Sequence, residues 1–197
     1  MNLPNKLTIL RIILVPFMMF FYLADFIPYG IGKLVALGIF IIASLTDMLD
    51  GNIARKHNLI TNFGKFLDPI ADKVLTSAVL FMIAIDKTIP APWGVIIVTI
   101  IISREFIVAA LRLIAASKGT VLAADMWGKV KTVMQMIALP VCMVLAYLLT
   151  CGLLIPAWLI LTFKILSYTT LGVATILTVI SGANYVIKNV SCLKEDK

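Results

Sequence analysis

Charged residues are scarce in this sequence. They make up 14% of its 197 residues, whereas about a quarter of the residues in a soluble domain are charged. Apolar residues reach 61%, and the mean hydropathy is +1.06. This composition excludes an ordinary soluble domain. The net charge of +7 therefore indicates cationic loops that lie against anionic lipid, and no binding of nucleic acid.

Sulfur and imidazole ligands are scarce as well. The three cysteines, Cys142, Cys151 and Cys192, are far apart, and His57 is the single histidine. No CxxC or Cys/His spacing is present, which argues against a disulfide framework and against a zinc site of the usual kind. We interpret the cysteines as small apolar residues in or near helices.

Six long apolar stretches predict six transmembrane helices. A helix needs about 20 apolar residues to cross the hydrocarbon core of a bilayer. The stretches cover residues 7–24, 31–53, 69–86, 92–115, 126–150 and 155–187. Neither a repeat nor a low-complexity segment divides the chain. We therefore predict an all-α integral membrane protein, a bundle of six transmembrane helices that forms a single domain over residues 1–197.

The lysines and arginines of the loops predict the orientation. Eleven of them fall in the N-terminus, the 54–67 loop, the 116–131 loop and the C-terminus, while Lys33 and Lys87 fall on the other side. Cytoplasmic loops carry the excess of positive charge. We therefore expect a multi-pass protein of the cell membrane with both termini and these two loops in the cytoplasm.

Four aspartates lie where the second and third stretches meet. Asp47 and Asp50 are three residues apart and Asp68 and Asp72 are four apart, so each pair shares one face of its helix. A single carboxylate inside the membrane costs about 2.5–3.5 kcal/mol, and four together repel one another. Two divalent cations would balance their charge, and oxygen ligands favour Mg²⁺ or Mn²⁺. The pattern predicts a paired-metal site suited to displacement at phosphorus.

Small residues and an arginine follow the first aspartate pair. Gly51 and Ala54 share the helix face of Asp47, which allows a ligand to approach the backbone closely. Arg55 is a charged donor suited to phosphate. The alternative is that carboxylates at the end of a span are simply solvated, but this does not account for four of them on two consecutive helix ends.

The spacing D-x2-D-G-x2-A-R-x8-G-x3-D-x3-D runs from Asp47 through Gly64 to Asp72. It resembles the signature of the CDP-alcohol phosphotransferases and departs from it nowhere. The resemblance implies a six-helix membrane fold, usually a homodimer, with two divalent metals held by the four aspartates. It also implies a reaction in which a second alcohol displaces CMP from a CDP-linked lipid or alcohol.

Further segments resemble family members that use CDP-diacylglycerol as the donor and glycerol 3-phosphate as the acceptor. They are residues 5–8 with Arg11, residues 102–106 with Arg112, and residues 128–132 with Gln135. Inositol phosphate, serine or phosphatidylglycerol as the acceptor remains an alternative within the family. A metal-ion transporter is an alternative of another class, although the acids gather at one face of the membrane and no repeated halves are evident.

The resemblance and the residue chemistry together predict the roles in the site. We expect Asp72 to be the general base, with one metal held by Asp47, Asp50 and Asp68 and the other by Asp47, Asp68 and Asp72. For Arg104 and Glu105 we expect a structural network. Predicted contacts to the CDP-lipid are Asn5, Thr8, Gly51, Ala54 and Arg55, and predicted contacts to the acceptor phosphate are Arg112, Lys129 and Lys131. Two alternatives stay open: Asn5 as a helix cap, and the basic residues as anchors for lipid headgroups.

Overall fold

In the part of the chain that it describes, the structure, a computed structural model, contains six α-helices. It describes residues 3–56, 62–86, 88–117 and 126–189, without the side chains of residues 3, 4, 48–56, 62, 63, 65, 66 and 117. The described ranges contain no β-strand, so the prediction of an all-α six-helix fold is confirmed. The helices are α1 (Leu3–Leu23), α2 (Ile31–Lys56), α3 (Asn62–Ile85), α4 (Trp93–Ser117), α5 (Met126–Thr150) and α6 (Ala157–Asn189).

Five of the six helices are long and apolar enough to cross a membrane, namely α1, α2, α4, α5 and α6. The sixth, α3, has 24 residues, which corresponds to a length of about 36 Å. Its first half carries Lys65, Asp68, Asp72 and Lys73, and these charges separate it from the other five. The chain is a multi-pass membrane protein in which α3 brings charged residues into the bundle.

The start of α3 is the largest difference from the predicted stretches. The apolar pattern placed the start of the third stretch at residue 69, whereas α3 begins at Asn62. Hydropathy marks where a helix enters apolar surroundings, but backbone hydrogen bonds continue into polar residues on either side. Because the helix already includes residue 68, Asp68 and Asp72 lie one turn apart on it, as their spacing requires.

The helices form two groups that pack on each other. Helix α1 packs against α2 and α3, while α6 packs against α4 and α5. Contacts of α2 with α5 and of α3 with α4 and α5 join the groups. Helices α1 and α2 approach so closely at Gly32 that a Cβ atom there would lie 2.2 Å from the carbonyl oxygen of Phe21. The core includes Met18, Phe40, Leu75, Leu139 and Leu171.

The outer surface of the bundle is apolar. Large side chains with more than a third of their surface exposed occur on every helix, and examples are Phe17, Ile42, Phe81, Val133 and Leu161. A soluble protein rarely exposes so much apolar surface. In this protein the lipid tails provide the apolar surroundings that such side chains require.

The end of the bundle away from the aspartate cluster is held by a polar network. Asp86, which follows α3, accepts hydrogen bonds from Lys33 Nζ at 2.6 Å, Thr88 Oγ1 at 3.0 Å and the Tyr22 hydroxyl at 3.3 Å. The Lys33 ammonium also lies 5.3 Å from the centre of the Tyr22 ring. The network joins the ends of α1, α2 and α3, and we call it the Asp86 network.

Candidate active site

Helix α1 donates hydrogen bonds to two of the predicted metal ligands. The Thr8 hydroxyl donates to Asp68 Oδ1 at 2.7 Å, and Arg11 Nη1 lies 2.5 Å from Asp47 Oδ1. Thr8 and Arg11 are each 1% exposed. They are three residues apart, and therefore they point to the same side of α1. The three helices α1, α2 and α3 thus meet at the aspartates, although 60 residues of sequence separate Thr8 from Asp68.

The carboxylates themselves remain accessible. The Asp47 side chain is 46% exposed although its Arg11 partner is buried, and Asp68 is exposed as well. Asp72 is half-buried and lies within electrostatic range of both Asp47 and Glu105. Among the described side chains, Asp47, Asp68 and Asp72 therefore form an acidic cluster that a ligand can reach.

The described donor set fits the hard divalent cations that we predicted. Asp47, Asp68 and Asp72 supply carboxylate oxygens, which suit Mg²⁺ or Mn²⁺. The side chain of the fourth predicted ligand, Asp50, lies outside the described residues. Among the side chains that are described, no three His, Cys, Asp or Glu groups are close enough together to hold a metal ion. The metal site therefore stays a prediction.

A small polar cavity adjoins the acidic cluster. It has a volume of about 30 Å³ and lies between α3, α4 and α5. Asp72 lines it together with Glu105, Lys131 and Gln135. The remaining lining residues are Thr76, Thr132 and Met136. The predicted general base thus shares a cavity with one of the predicted binding residues for the acceptor phosphate.

Glu105 forms ion pairs with two basic side chains beside this cavity. Its Oε1 pairs with Lys131 Nζ and, at 3.1 Å, with Arg104 Nη1. Arg104 Nη2 in turn donates to the Ser181 hydroxyl on α6 at 2.6 Å. The Glu105 carbonyl accepts from Lys73 Nζ at 3.3 Å. Arg104 and Glu105 belong to a structural network, as we expected, and this network includes Lys131.

The close packing of α4 on α6 supports the position of Arg104. A Cβ atom at Gly182 would lie 2.8 Å from Arg104 Cγ. Because Gly182 has no side chain, the Arg104 side chain can cross α6 at this point and reach Ser181, the residue before the glycine. Any larger residue at position 182 would push the Arg104 side chain away from α6.

Arg112 lies on the same helix as Glu105 and is exposed. Its Nε donates to the Tyr185 hydroxyl of α6 at 3.2 Å, and its guanidinium lies 5.5 Å from the centre of the Tyr185 ring. Tyr185 is 3% exposed. A buried tyrosine thus holds the exposed guanidinium through its Nε and through its ring.

The structure brings some of the predicted site residues together and leaves others apart. Asp68 accepts from Thr8 and Asp47 accepts from Arg11, both on the same side of α1, and Asp72 and Lys131 line the same cavity. Asn5 is buried on α1, and Lys129 is exposed at the start of α5. The side chains of the remaining predicted residues lie outside the described part, and these are Asp50, Gly51, Ala54 and Arg55.

The site also contains residues to which sequence reasoning gave no role in it. Arg11 is predicted as an N-terminal cation and as part of a motif, without a role in the site, although an arginine inside an apolar stretch is a signal that it needs a partner. Gln135 was noted only as part of a motif. Ser181 and Tyr185 lie in the last 50 residues, where hydrophobic character was the single visible signal.

Comparison with known proteins confirms the predicted family. The sequence profile of the CDP-alcohol phosphatidyltransferase family matches residues 1–180. The CDP-diacylglycerol–glycerol-3-phosphate 3-phosphatidyltransferase of Bacillus subtilis (strain 168) is 45% identical, over 98% of this chain and 97% of its own. The Haemophilus influenzae protein of the same name is 44% identical over 70% of this chain and 73% of its own. The one from Rickettsia felis is 40% identical over 71% and 74%. The chain belongs to the CDP-alcohol phosphatidyltransferase family.

Proposed function

We propose that the protein transfers the phosphatidyl group of CDP-diacylglycerol to sn-glycerol 3-phosphate, giving phosphatidylglycerophosphate and CMP. The observation that carries the proposal is the position of Asp72, which belongs to the acidic cluster and also lines the cavity that contains Lys131. The Asp72 carboxylate and the Lys131 ammonium thus line one cavity, and together they can bind the hydroxyl and the phosphate of a phosphorylated alcohol. The shared name of the three relatives supports glycerol 3-phosphate as that alcohol.

In this mechanism the protein binds CDP-diacylglycerol and glycerol 3-phosphate side by side, and one proton is transferred from the acceptor to the protein. Asp72 accepts the proton of the acceptor's primary hydroxyl. That oxygen forms a bond to the phosphorus which carries the diacylglycerol, and the bond from this phosphorus to the CMP oxygen breaks. Arg112, Lys129 and Lys131 bind the acceptor phosphate, and Glu105 keeps Lys131 beside the cavity. Asn5, Thr8, Gly51, Ala54 and Arg55 bind the CDP moiety.

The acidic residues also define where two divalent cations would bind. Asp47, Asp50 and Asp68 would hold one, and Asp47, Asp68 and Asp72 the other. When bound, Mg²⁺ or Mn²⁺ neutralises the diphosphate and stabilises the charge that develops as CMP leaves. Thr8 and Arg11 fix the orientation of Asp68 and Asp47 through hydrogen bonds. The support for this part is the chemistry of the donor set.

A panel of acceptors tests the reaction. Purified protein in detergent is incubated with CDP-diacylglycerol, Mg²⁺ and one acceptor at a time: glycerol 3-phosphate, inositol phosphate, serine or phosphatidylglycerol. Release of CMP and the mass of the lipid product are measured. We expect phosphatidylglycerophosphate with the first acceptor and a rate at least about tenfold lower with the others. A higher rate with any other acceptor would identify that compound as the substrate, and the family assignment would stay the same.

Removal of the cations tests the metal proposal separately. Treatment with EDTA should abolish CMP release, and adding Mg²⁺ or Mn²⁺ in excess should restore it. Full activity after chelation and dialysis would contradict the proposed role of the aspartates. Because the assay uses detergent and no ion gradient, turnover also distinguishes an enzyme from a transporter.

We also propose that the active site faces the cytoplasm of a cell-membrane protein. The support is the excess of lysine and arginine on the side of the aspartates, with eleven residues against two. A tag placed after Lys197 should be cleaved by protease in sealed inside-out vesicles and protected in right-side-out vesicles. The reverse pattern would overturn the orientation.

The final part of the proposal is a homodimer, which the family resemblance implies. Light scattering of the purified protein, corrected for detergent, should give about twice the chain mass of 21.6 kDa. A mass equal to one chain at assay concentration, with full activity, would rule it out.

A further inference from the structure

Gln135 is a buried polar residue that the mechanism above does not use. It lies on α5 one turn after Lys131, and it is 4% exposed. Gln135 lines the polar cavity, and its Oε1 accepts no hydrogen bond from any described residue. Buried carbonyl oxygens in proteins nearly always accept a hydrogen bond. A group that supplies a donor is therefore expected at this position.

The neighbours of Gln135 in the cavity do not supply that donor. Lys131 Nζ points to Glu105, and the Thr132 hydroxyl donates to the carbonyl of Gly128 in its own helix at 3.0 Å. The Thr76 hydroxyl donates to the carbonyl of Asp72 at 2.9 Å. The Glu105 carboxylate pairs with Lys131 and is an acceptor only, and the proposed mechanism requires Asp72 as a proton acceptor. Each hydroxyl and ammonium that lines the cavity already has an acceptor.

The size of the cavity selects the kind of donor that fits. Two carboxylates and one ammonium line the cavity, and Lys131 already pairs with Glu105, so the charges alone do not select the donor. A neutral hydroxyl can donate to an amide oxygen in a small cavity. The volume of about 30 Å³ exceeds the 10–15 Å³ or so that one water needs. A hydroxyl group is thus matched to the cavity in size and in polarity.

We infer that Gln135 Oε1 accepts a hydrogen bond from the secondary hydroxyl of a phosphorylated polyol acceptor. The inference rests on the proposed function. The acceptor carries three polar groups, of which the hydroxyl between the other two enters the cavity, where Gln135 accepts from it. Asp72 and Lys131, which also line the cavity, are the partners of the reacting hydroxyl and of the phosphate. Because Gln135 contacts a hydroxyl that does not react, it determines specificity and takes no part in the proton transfer.

An acceptor without the secondary hydroxyl tests this assignment. 3-Hydroxypropyl phosphate keeps the primary hydroxyl and the phosphate of glycerol 3-phosphate and lacks the hydroxyl between them. We expect wild-type protein to prefer glycerol 3-phosphate in kcat/KM by on the order of 100-fold or more, since a site built for a hydroxyl rejects an analogue that leaves it unpaired. Equal use of both acceptors by the wild-type protein overturns the inference whatever the variants do.

Gln135→Met removes the acceptor atom and keeps the length of the side chain. In this variant the preference should fall to about fivefold or less, because kcat/KM for glycerol 3-phosphate drops while that for 3-hydroxypropyl phosphate changes little. Met136→Leu is the matched control, since Met136 lines the same cavity without a polar group, and it should keep the wild-type preference. A Gln135→Met variant with the wild-type preference would overturn the inference.

The outcomes separate this inference from the function on which it rests. If wild-type protein releases no CMP with glycerol 3-phosphate, the proposed function fails. If it does so without discriminating between the two acceptors, only the role of Gln135 fails. The KM for CDP-diacylglycerol should stay within about twofold of wild type in Gln135→Met, which shows that the donor site is intact.

Discussion

The two ends of the bundle both contain buried charges, but they use them differently. In the Asp86 network a single carboxylate accepts from Lys33, Tyr22 and Thr88 at 2.6, 3.3 and 3.0 Å, and the Lys33 side chain is 7% exposed. At the other end several carboxylates gather, and the Asp47 side chain is 46% exposed although it pairs with Arg11. A carboxylate enclosed by donors holds helices together, whereas grouped and accessible carboxylates can bind a ligand.

This contrast extends to the cations. Lys33 is paired with Asp86 and packed on the Tyr22 ring, so all its interactions are within the bundle. Arg112 is exposed and held from one edge by Tyr185. The first arrangement contributes to stability, whereas the second leaves the positive charge accessible, as the proposed contact with the acceptor phosphate requires. Substitutions at the Asp86 network should therefore change stability, and substitutions at the other end should change the kinetic constants.

The largest effect is expected from Asp72→Asn. The amide cannot accept the proton of the acceptor hydroxyl, and general-base catalysis contributes about 10²–10⁴-fold. We expect kcat for CMP release to fall by about 1000-fold, while binding of CDP-diacylglycerol remains measurable by titration. Activity close to wild type would show that another group accepts the proton.

Asp86→Asn should have the opposite profile. Breaking a buried ion pair on one side leaves Lys33 without its counter-ion, which costs about 3 kcal/mol, or more than a 100-fold change in the folding equilibrium. The thermal unfolding temperature in detergent should fall, and kcat per folded molecule should stay within about threefold. A large loss of kcat with unchanged stability would mean that the two ends are coupled in catalysis.

Arg112→Ala tests the exposed cation. A hydrogen bond to a charged group contributes about 1.5–3 kcal/mol, which corresponds to roughly a 10–100-fold increase in the KM for glycerol 3-phosphate. The KM for CDP-diacylglycerol should change much less. Equal increases for both substrates would argue that Arg112 has no special role toward the acceptor.

Tyr185→Phe should give the smallest change of the four. It removes the hydroxyl that accepts from Arg112 and keeps the ring beneath the guanidinium. A neutral acceptor contributes about 1 kcal/mol, so we expect the KM for glycerol 3-phosphate to rise about threefold to fivefold, with kcat unchanged. Tyr168→Phe is the matched control, because the Tyr168 hydroxyl contacts the carbonyl of Thr88 at the opposite end. It should leave both constants unaltered.

Much of the fold could be predicted because the membrane imposes one strong requirement. A segment that crosses lipid must satisfy its backbone hydrogen bonds internally, so long apolar stretches become helices. The bounds of α4 and α5, Trp93–Ser117 and Met126–Thr150, lie within two residues of the predicted stretches. The start of α3 was not predicted because Asn62, Lys65 and Asp68 interrupt the apolar pattern, and hydropathy carries no information on a helix outside lipid.

The candidate site was predictable only where its residues are local in sequence. The spacing of Asp68 and Asp72 sets their common face on any helix. The partners of these residues come from other helices: Thr8 reaches Asp68, and Lys131 reaches Glu105. Tyr185 and Ser181 lie in a stretch whose composition resembles that of any other span. Nothing local distinguishes them from residues that face lipid.

The amino-acid sequence by itself determined the number and kind of helices and the grouping of carboxylates on two of them. Those properties depend on hydropathy and on the helical repeat, which act over a few residues. Only the tertiary structure decided that α1 would donate to the aspartates, that Glu105 would hold Lys131, and that Gln135 would line a cavity with Asp72. These contacts join residues far apart in the chain, and they exist only because particular helix faces pack against each other.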